Sequence, residues 1–185
     1  MKLAALVLCV CVLCGCSAET EPVDRAMDLR NALLSCRECT FSSVISADYG
    51  ERIDTFQLDC STNAEGIMTF TVTDPETIRG IGGIFSEEGG SICFDDKVLA
   101  FPMLANDQLI PVSTPWIFLN ALKSGYINGC SREGEGICIY LDDCFENAFL
   151  RVEVITDSEN TPIHTDIYWN QKRILSADIR NFNLL

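Results

Sequence analysis

The sequence is poor in histidine and in basic residues. It contains one histidine, His164, and 13 Lys and Arg residues against 27 Asp and Glu residues, which gives a net charge of −14. The low basic content argues against nucleic-acid binding, because phosphate recognition needs cationic side chains that release counterions. With a single histidine, we expect neither a Ser-His-Asp triad nor a multi-histidine metal site. We therefore predict a protein that is not an enzyme and holds no metal or cofactor.

The sequence also has no N-terminal apolar run long enough to span a membrane. The run Leu3–Gly15 is about a dozen residues, whereas a spanning helix needs roughly 20, so the segment is typical of a secretory signal peptide. It ends in Leu13-Cys14-Gly15-Cys16, an order that resembles the bacterial lipobox, in which the cysteine thiol is lipidated and becomes the N-terminus. We predict a lipoprotein signal peptide over 1–15, palmitate-type lipidation at Cys16 and a lipidated tether over 16–23. An ordinary signal peptide, an uncleaved anchor or a metal or redox cluster are the alternatives.

The remaining chain, Cys16–Leu185, has the length of one domain with a substantial core. We predict a single domain over 24–185. Its acidic excess disfavours electrostatic adhesion to anionic lipid head groups, so the acyl anchor alone would hold it at the membrane. The predicted location is the extracytoplasmic face of the cell membrane.

The hydrophobic pattern predicts one helix, then short alternating strands, then a second short helix. Asp24 is a candidate N-cap, and apolar residues recur at helical spacing after it. The second helix is predicted over Trp116–Lys123, after Pro115 and before Gly125. About nine or ten antiparallel strands in meander order indicate an α+β, mostly β fold. We expect a highly curved antiparallel sheet, an incomplete β-barrel, with the N-terminal and mid-chain helices on or near its concave face.

The first predicted hairpin fixes a candidate disulfide. A two-residue turn at Tyr49-Gly50 would set Phe41 opposite Leu58 and Cys39 opposite Cys60, with all four side chains on one face. Outside the cytoplasm a structural disulfide is favoured, so a Cys39–Cys60 bridge is predicted.

The other cysteines leave the pairing partly open. Direct cross-strand bridges are somewhat strained, so a Cys36–Cys60 bridge is the alternative. Cys130 and Cys138 lie symmetrically about Gly134 and are predicted to close a hairpin loop. No partner is assigned to two further cysteines, Cys93 and Cys144.

Four stretches carry a resemblance to a known family: "CTFSSVISADYGERIDTFQLDC", "FTVTDPETIRGIGG", "LAFPMLANDQLIPVSTPWIFLNALKSGYI" and "RILSADIRNF". With the element order, they resemble the LolA/LolB-like lipoprotein-carrier superfamily over residues 25–185. They are most similar to uncharacterised lipoproteins of Gram-positive anaerobes. Carriers of this family have a lid-locking arginine, which we could match to no position in this sequence.

The resemblance implies an incomplete barrel around an apolar cavity that accepts acyl chains, with Trp116 as part of a lid. We therefore predict a membrane-anchored binding module for a lipid or acylated ligand, including a lipoprotein. The alternative is an anchored protein-interaction or sensor domain in which the same aromatic side chains fill the core. The candidate cavity residues are Phe41, Ile45, Phe56, Leu58, Phe70, Val72, Phe94, Phe101 and Trp116.

Overall fold

The computed structural model describes residues 21–48, 50, 52–94, 97–101, 104–105, 108–145 and 148–185. The predicted signal peptide and the predicted lipidation site, Cys16, lie outside the described residues. The two helices are α1 (Glu21–Ser35) and α2 (Thr114–Ser124), and short 3-10 turns cover Glu76–Ile78 and Pro111–Ser113. The strands are β1 (Cys39–Asp48), β2 (Ile53–Thr62), β3 (Met68–Asp74), β4 (Gly82–Ser86), β5 (Gly89–Phe94), β6 (Lys97–Phe101), β7 (Leu104–Ala105), β8 (Gln108–Leu109), β9 (Tyr126–Glu133), β10 (Gly136–Phe145), β11 (Ala148–Thr156), β12 (Pro162–Trp169) and β13 (Lys172–Leu184).

Eleven of these strands form one open antiparallel sheet in the order β6-β5-β4-β3-β2-β1-β13-β12-β11-β10-β9. Consecutive strands pair as hairpins, and the pairing of β1 with β13 joins the two halves of the meander. The sheet is curved and does not close, because β6 and β9 remain at its two edges. The predicted fold class, a mostly β incomplete barrel with two helices, is confirmed.

The side chains of β1 alternate between a buried and a partly exposed face. Its odd-numbered residues from Cys39 to Ala47 are buried, as the alternating pattern predicted. The predicted hairpin register is wrong by two residues: Phe41 lies opposite Cys60, and Asp48 lies opposite Ile53. The connection is therefore four residues long rather than two. A shift of two keeps each side chain on its face, which explains why the burial pattern was still predicted correctly.

Both helices pack on the concave face of the sheet. Helix α1 begins at Glu21, so Glu21–Val23, which we placed in the tether, belong to its first turn. It buries Ala26, Leu29 and Leu33, the helical face predicted from their spacing. Among the described residues, no helix is long and apolar enough to cross a membrane.

Helix α2 is apolar on nearly every side. Pro115 occupies its first turn, and the N–H of Gly125 bonds to the carbonyl of Ala121 at its end, as predicted. Eight of its eleven residues are buried, which is typical of a helix enclosed by the fold rather than lying on its surface. Helix α2 contacts α1 and strands β10–β13, so it fills the space inside the curve of the sheet.

Candidate functional site

Most of the predicted cavity residues meet on the concave face of the sheet. Phe56 is half-buried and packs against the same core. Phe94 does not belong to the set: it is 57% exposed, because β5 extends one residue beyond the end of β4. The side chain of Phe101 lies outside the described residues. The buried candidates are Phe41, Ile45, Leu58, Phe70, Val72 and Trp116.

Aromatic rings from the sheet and from α2 contact one another inside the fold. The ring of Phe118 on α2 meets Phe41 edge-on at a centroid distance of 5.7 Å, and Phe182 of β13 lies 5.8 Å from Phe41. Phe70 stacks on Phe85 at 5.1 Å. These spacings are those of favourable aromatic pairs. With α2 in place, these rings therefore pack as a core, and α2 occupies the space that the resemblance assigned to a ligand.

Arg30 of α1 holds the C-terminal end of α2. Its Nε donates to the carbonyl of Leu122 at 2.6 Å, and its Nη2 donates to the carbonyls of Gly125 at 2.6 Å and Ala121 at 3.5 Å. The last carbonyls of a helix have no partner within the helix and carry partial negative charge, so a guanidinium is well matched to them. Partial burial lowers the pKa of Arg30 from its usual value, which still leaves a cation at neutral pH.

The sequence did not reveal the contacts of Arg30. Its partners are backbone carbonyls about 90 positions away, and backbone carbonyls leave no trace in a residue pattern. The signal that the sequence offered for these contacts was the position of Arg30 on the helical face that adjoins Leu29 and Leu33.

A second arginine of α1 makes comparable contacts elsewhere. Arg25 donates to the carbonyls of Glu135, Asp157 and Ser158 at 3.3, 2.9 and 3.3 Å, and Asn160 donates back to the carbonyl of Arg25 at 2.8 Å. These carbonyls belong to the turns after β9 and β11. Arg25 therefore fixes α1 to the sheet, whereas Arg30 fixes α2 to α1.

A cavity of about 250 Å³ lies at the side of α2 that faces β2, β3 and β4. Its apolar lining comes from Leu34, Met68, Trp116 and Leu119, and Lys123 stands among the polar residues of its lining. The volume is slightly below the 300 Å³ or so at which small-molecule sites begin. The cavity is therefore small for a ligand of drug size.

The cysteines of the described residues are all free thiols. Cys39 lies opposite Thr62, so Cys60 is its diagonal neighbour on β2. Diagonal neighbours of this kind are about 7–8 Å apart, beyond the usual reach of a disulfide. Cys130 pairs with Ile139 while Cys138 pairs with Ser131. Their side chains therefore leave opposite faces of the hairpin, and the register does not support a bridge between them.

His164 belongs to a hydrogen-bonded cluster on the convex face. Its Nδ1 lies 2.8 Å from Asp178, and its Nε2 lies 3.3 Å from Ser176 and 3.4 Å from Asp166. One histidine thus assembles a Ser-His-Asp contact, against our expectation. The hydrogen bonds to Asp166 and Asp178 raise the pKa of His164. His164 and Asp166 belong to β12, and Ser176 and Asp178 belong to β13. The arrangement is therefore suited to holding these two strands together.

Comparison with known proteins finds solved structures that are similar to this chain. No family model and no curated protein matches the chain. A putative outer membrane lipoprotein-sorting protein domain from Vibrio parahaemolyticus is similar with a TM-score of 0.50 and 6% identity, covering 89% of this chain and 92% of that one. The fold of this chain is therefore similar to that of the Vibrio domain.

Two further solved structures are similar over the same span. A LolA superfamily protein from Nitrosomonas europaea has a TM-score of 0.47 and 8% identity, covering 86% of this chain and 93% of its own. A DUF1329 family protein from Desulfovibrio piger has a TM-score of 0.49 and 12% identity, with coverage of 89% and 94%.

Proposed function

We propose that the protein is a membrane-anchored extracytoplasmic binding module that takes the acyl chain of a lipid or lipoprotein on its concave face, with α2 as the lid. The carrying observation is the Arg30 contact: one side chain holds the end of a helix that otherwise packs mainly through apolar side chains. The description of the Vibrio domain as lipoprotein-sorting is consistent with a ligand of this class.

The energetics favour an acyl chain as the group that could replace the lid contacts. Burying one methylene contributes roughly 0.8 kcal/mol, so about fifteen of them contribute on the order of 12 kcal/mol. Against this stand the Arg30 hydrogen bonds and the apolar contacts of α2, which the bound chain would partly replace. A short or polar ligand would offset much less of the cost of opening.

A second function is favoured by the ring contacts. Because Phe41, Phe118 and Phe182 fill the interior, the domain also fits an anchored interaction or sensor module that carries no ligand and contacts another envelope protein by its surface. In this case α2 is a permanent part of the core, and Arg30 stays bonded to the C-terminal end of α2.

Native mass spectrometry of protein purified without detergent separates the two functions. The binding module is expected to carry a mass increment of lipid size or to take up added palmitate. An empty protein that takes up no palmitate, both as wild type and with Arg30→Ala, would support the filled-core module.

The anchor is part of the same proposal and has its own test. Lipidation at Cys16 predicts that Cys16→Ser abolishes metabolic palmitate labelling and releases the protein from the membrane fraction. Cys36→Ser is the matched control, since Cys36 is a partly exposed cysteine of the folded domain. Unchanged labelling in the Cys16 variant would contradict the proposed anchor, but it would not bear on the proposal that α2 is a lid.

A further inference from the structure

The convex face of the sheet has a groove to which α2, the proposed lid, contributes no lining residue. It has a volume of about 700 Å³ and lies across β9–β12, at the end where the β12–β13 turn stands. This volume is well within the range of ligand sites. The groove is on the opposite side of the sheet from the aromatic core, since Leu150 and Val152 are buried while Phe149 and Arg151 are exposed.

Exposed aromatic side chains flank the groove. Phe149 is 80% exposed and lines it, and Tyr168 lines it as well. Tyr126, 72% exposed, stands directly opposite Asp142 in the β9–β10 pairing. A ring presented to water on a polar sheet face contributes little to the core, and exposed apolar patches with a polar rim mark interaction or ligand sites.

The polar groups of the groove divide into charged groups with a hydrogen-bond or ion-pair partner and amides without one. Asn128 donates to Asp142 at 2.8 Å, and Arg151 lies 3.9 Å from Glu153 and stacks over a tyrosine ring at 5.5 Å. The groove therefore presents no unpaired cation to an anionic ligand, and the chain's net charge of −14 opposes one further.

The free amides lie in the turn between β12 and β13. Asn170 and Gln171 both have positive φ, 49° and 65°, which is the geometry of a tight two-residue hairpin turn. Within the described part of the chain their side chains have no hydrogen-bond partner, and both line the groove. Each amide offers two donors and an acceptor, which suits a ligand rich in neutral hydroxyl or acetamido groups.

We propose that this convex groove binds a neutral carbohydrate chain. A pyranose ring presents C–H groups on one face, which stack on Phe149 and Tyr168, and hydroxyl groups at its edge, which pair with Asn170 and Gln171. The site is independent of the lid and of an acyl ligand. It would hold the domain against a polysaccharide outside the membrane.

The test is calorimetric titration of the full-length folded domain with chitohexaose, cellohexaose and maltohexaose. Wild type is expected to bind at least one of them, with an affinity that does not change between about 0.1 M and 1 M salt, because a neutral ligand is not screened. Phe149→Ala should weaken binding roughly tenfold or more, since it removes an apolar contact surface. Phe94→Ala is the matched control, an exposed phenylalanine on a different strand, and should bind as wild type does.

Three results would overturn the proposal. They are no binding of any of the three sugars by wild type, equal affinities of wild type and Phe149→Ala, and binding of a lysine-rich peptide with no binding of sugar. The last result would assign the groove to a cationic peptide. Circular dichroism of Phe149→Ala is expected to show unchanged folding, because the ring is not part of the core.

Discussion

Replacement of Arg30 by alanine tests the lid most sharply. The variant loses two 2.6 Å hydrogen bonds and one of 3.5 Å to the end of α2. Hydrogen bonds from a charged donor contribute about 1.5–3 kcal/mol each when the partners are buried. Arg30 is only partly buried and water can replace part of the loss, so we expect about 2–4 kcal/mol. At about 1.4 kcal/mol per factor of ten, the open state becomes roughly 30- to 700-fold more populated.

Hydrogen–deuterium exchange read by mass spectrometry measures this population. Peptides covering α2 are expected to exchange faster in Arg30→Ala, while peptides covering β11 and β12 are expected to keep the wild-type rate.

Arg25→Ala is the matched control, since Arg25 also bonds to three backbone carbonyls but to none in α2. It should loosen α1 and the turns after β9 and β11 without the selective effect on α2. Unchanged exchange of α2 in Arg30→Ala, or an equal effect of the two variants on α2, would refute the reasoning.

Three other predictions concern stability and reactivity. Gly83→Ala should destabilise the fold by about 2 kcal/mol or more, because its Cβ would lie 2.4 Å from a backbone oxygen and 2.5 Å from the Phe70 ring. Gly129→Ala is the control and should be nearly neutral in urea unfolding, because nothing lies nearer than 3.9 Å to its Cβ. Equal losses of unfolding free energy in the two variants would contradict the packing around Gly83. Burial raises the pKa of the Cys60 thiol, so iodoacetamide should modify exposed Cys93 first; equal rates by mass spectrometry would refute this. Because its carboxylate partners raise the pKa of His164, its stabilisation is present below about pH 6.5 and is lost as the pH rises through the folded pKa. His164→Gln should therefore cost more unfolding free energy at pH 5 than at pH 8, by about 1 kcal/mol or less, and a difference independent of pH would contradict the assignment.

The local patterns of this sequence predicted much of the fold because its strands are half-buried. Alternation fixed which side of β1 faces the core, and the Pro115–Gly125 boundaries fixed α2. The strand β9 was missed because its side chains are mostly exposed or half-exposed, so that no alternation of apolar and polar residues marks it.

The site was predicted less completely than the fold, for a physical reason. Burial of Phe41, Ile45 and Phe70 follows from their periodicity, whereas the exposure of Phe94 depends on where the neighbouring strand ends. The role of Arg30 depends on backbone carbonyls brought to it by tertiary packing. The groove on the convex face combines residues from four strands and a turn, which only the sheet order brings together.

Uptake of a fluorescent long-chain fatty acid by detergent-free protein, compared among wild type, Arg30→Ala and Arg25→Ala, tests the central claim most directly. If α2 is a lid locked by Arg30 over an acyl-binding face, Arg30→Ala takes up the probe faster than wild type, and Arg25→Ala does not. The bound probe should also quench the fluorescence of Trp116, which lines the cavity beside α2. No uptake by any of the three proteins would contradict the claim and leave α2 as a fixed part of the core.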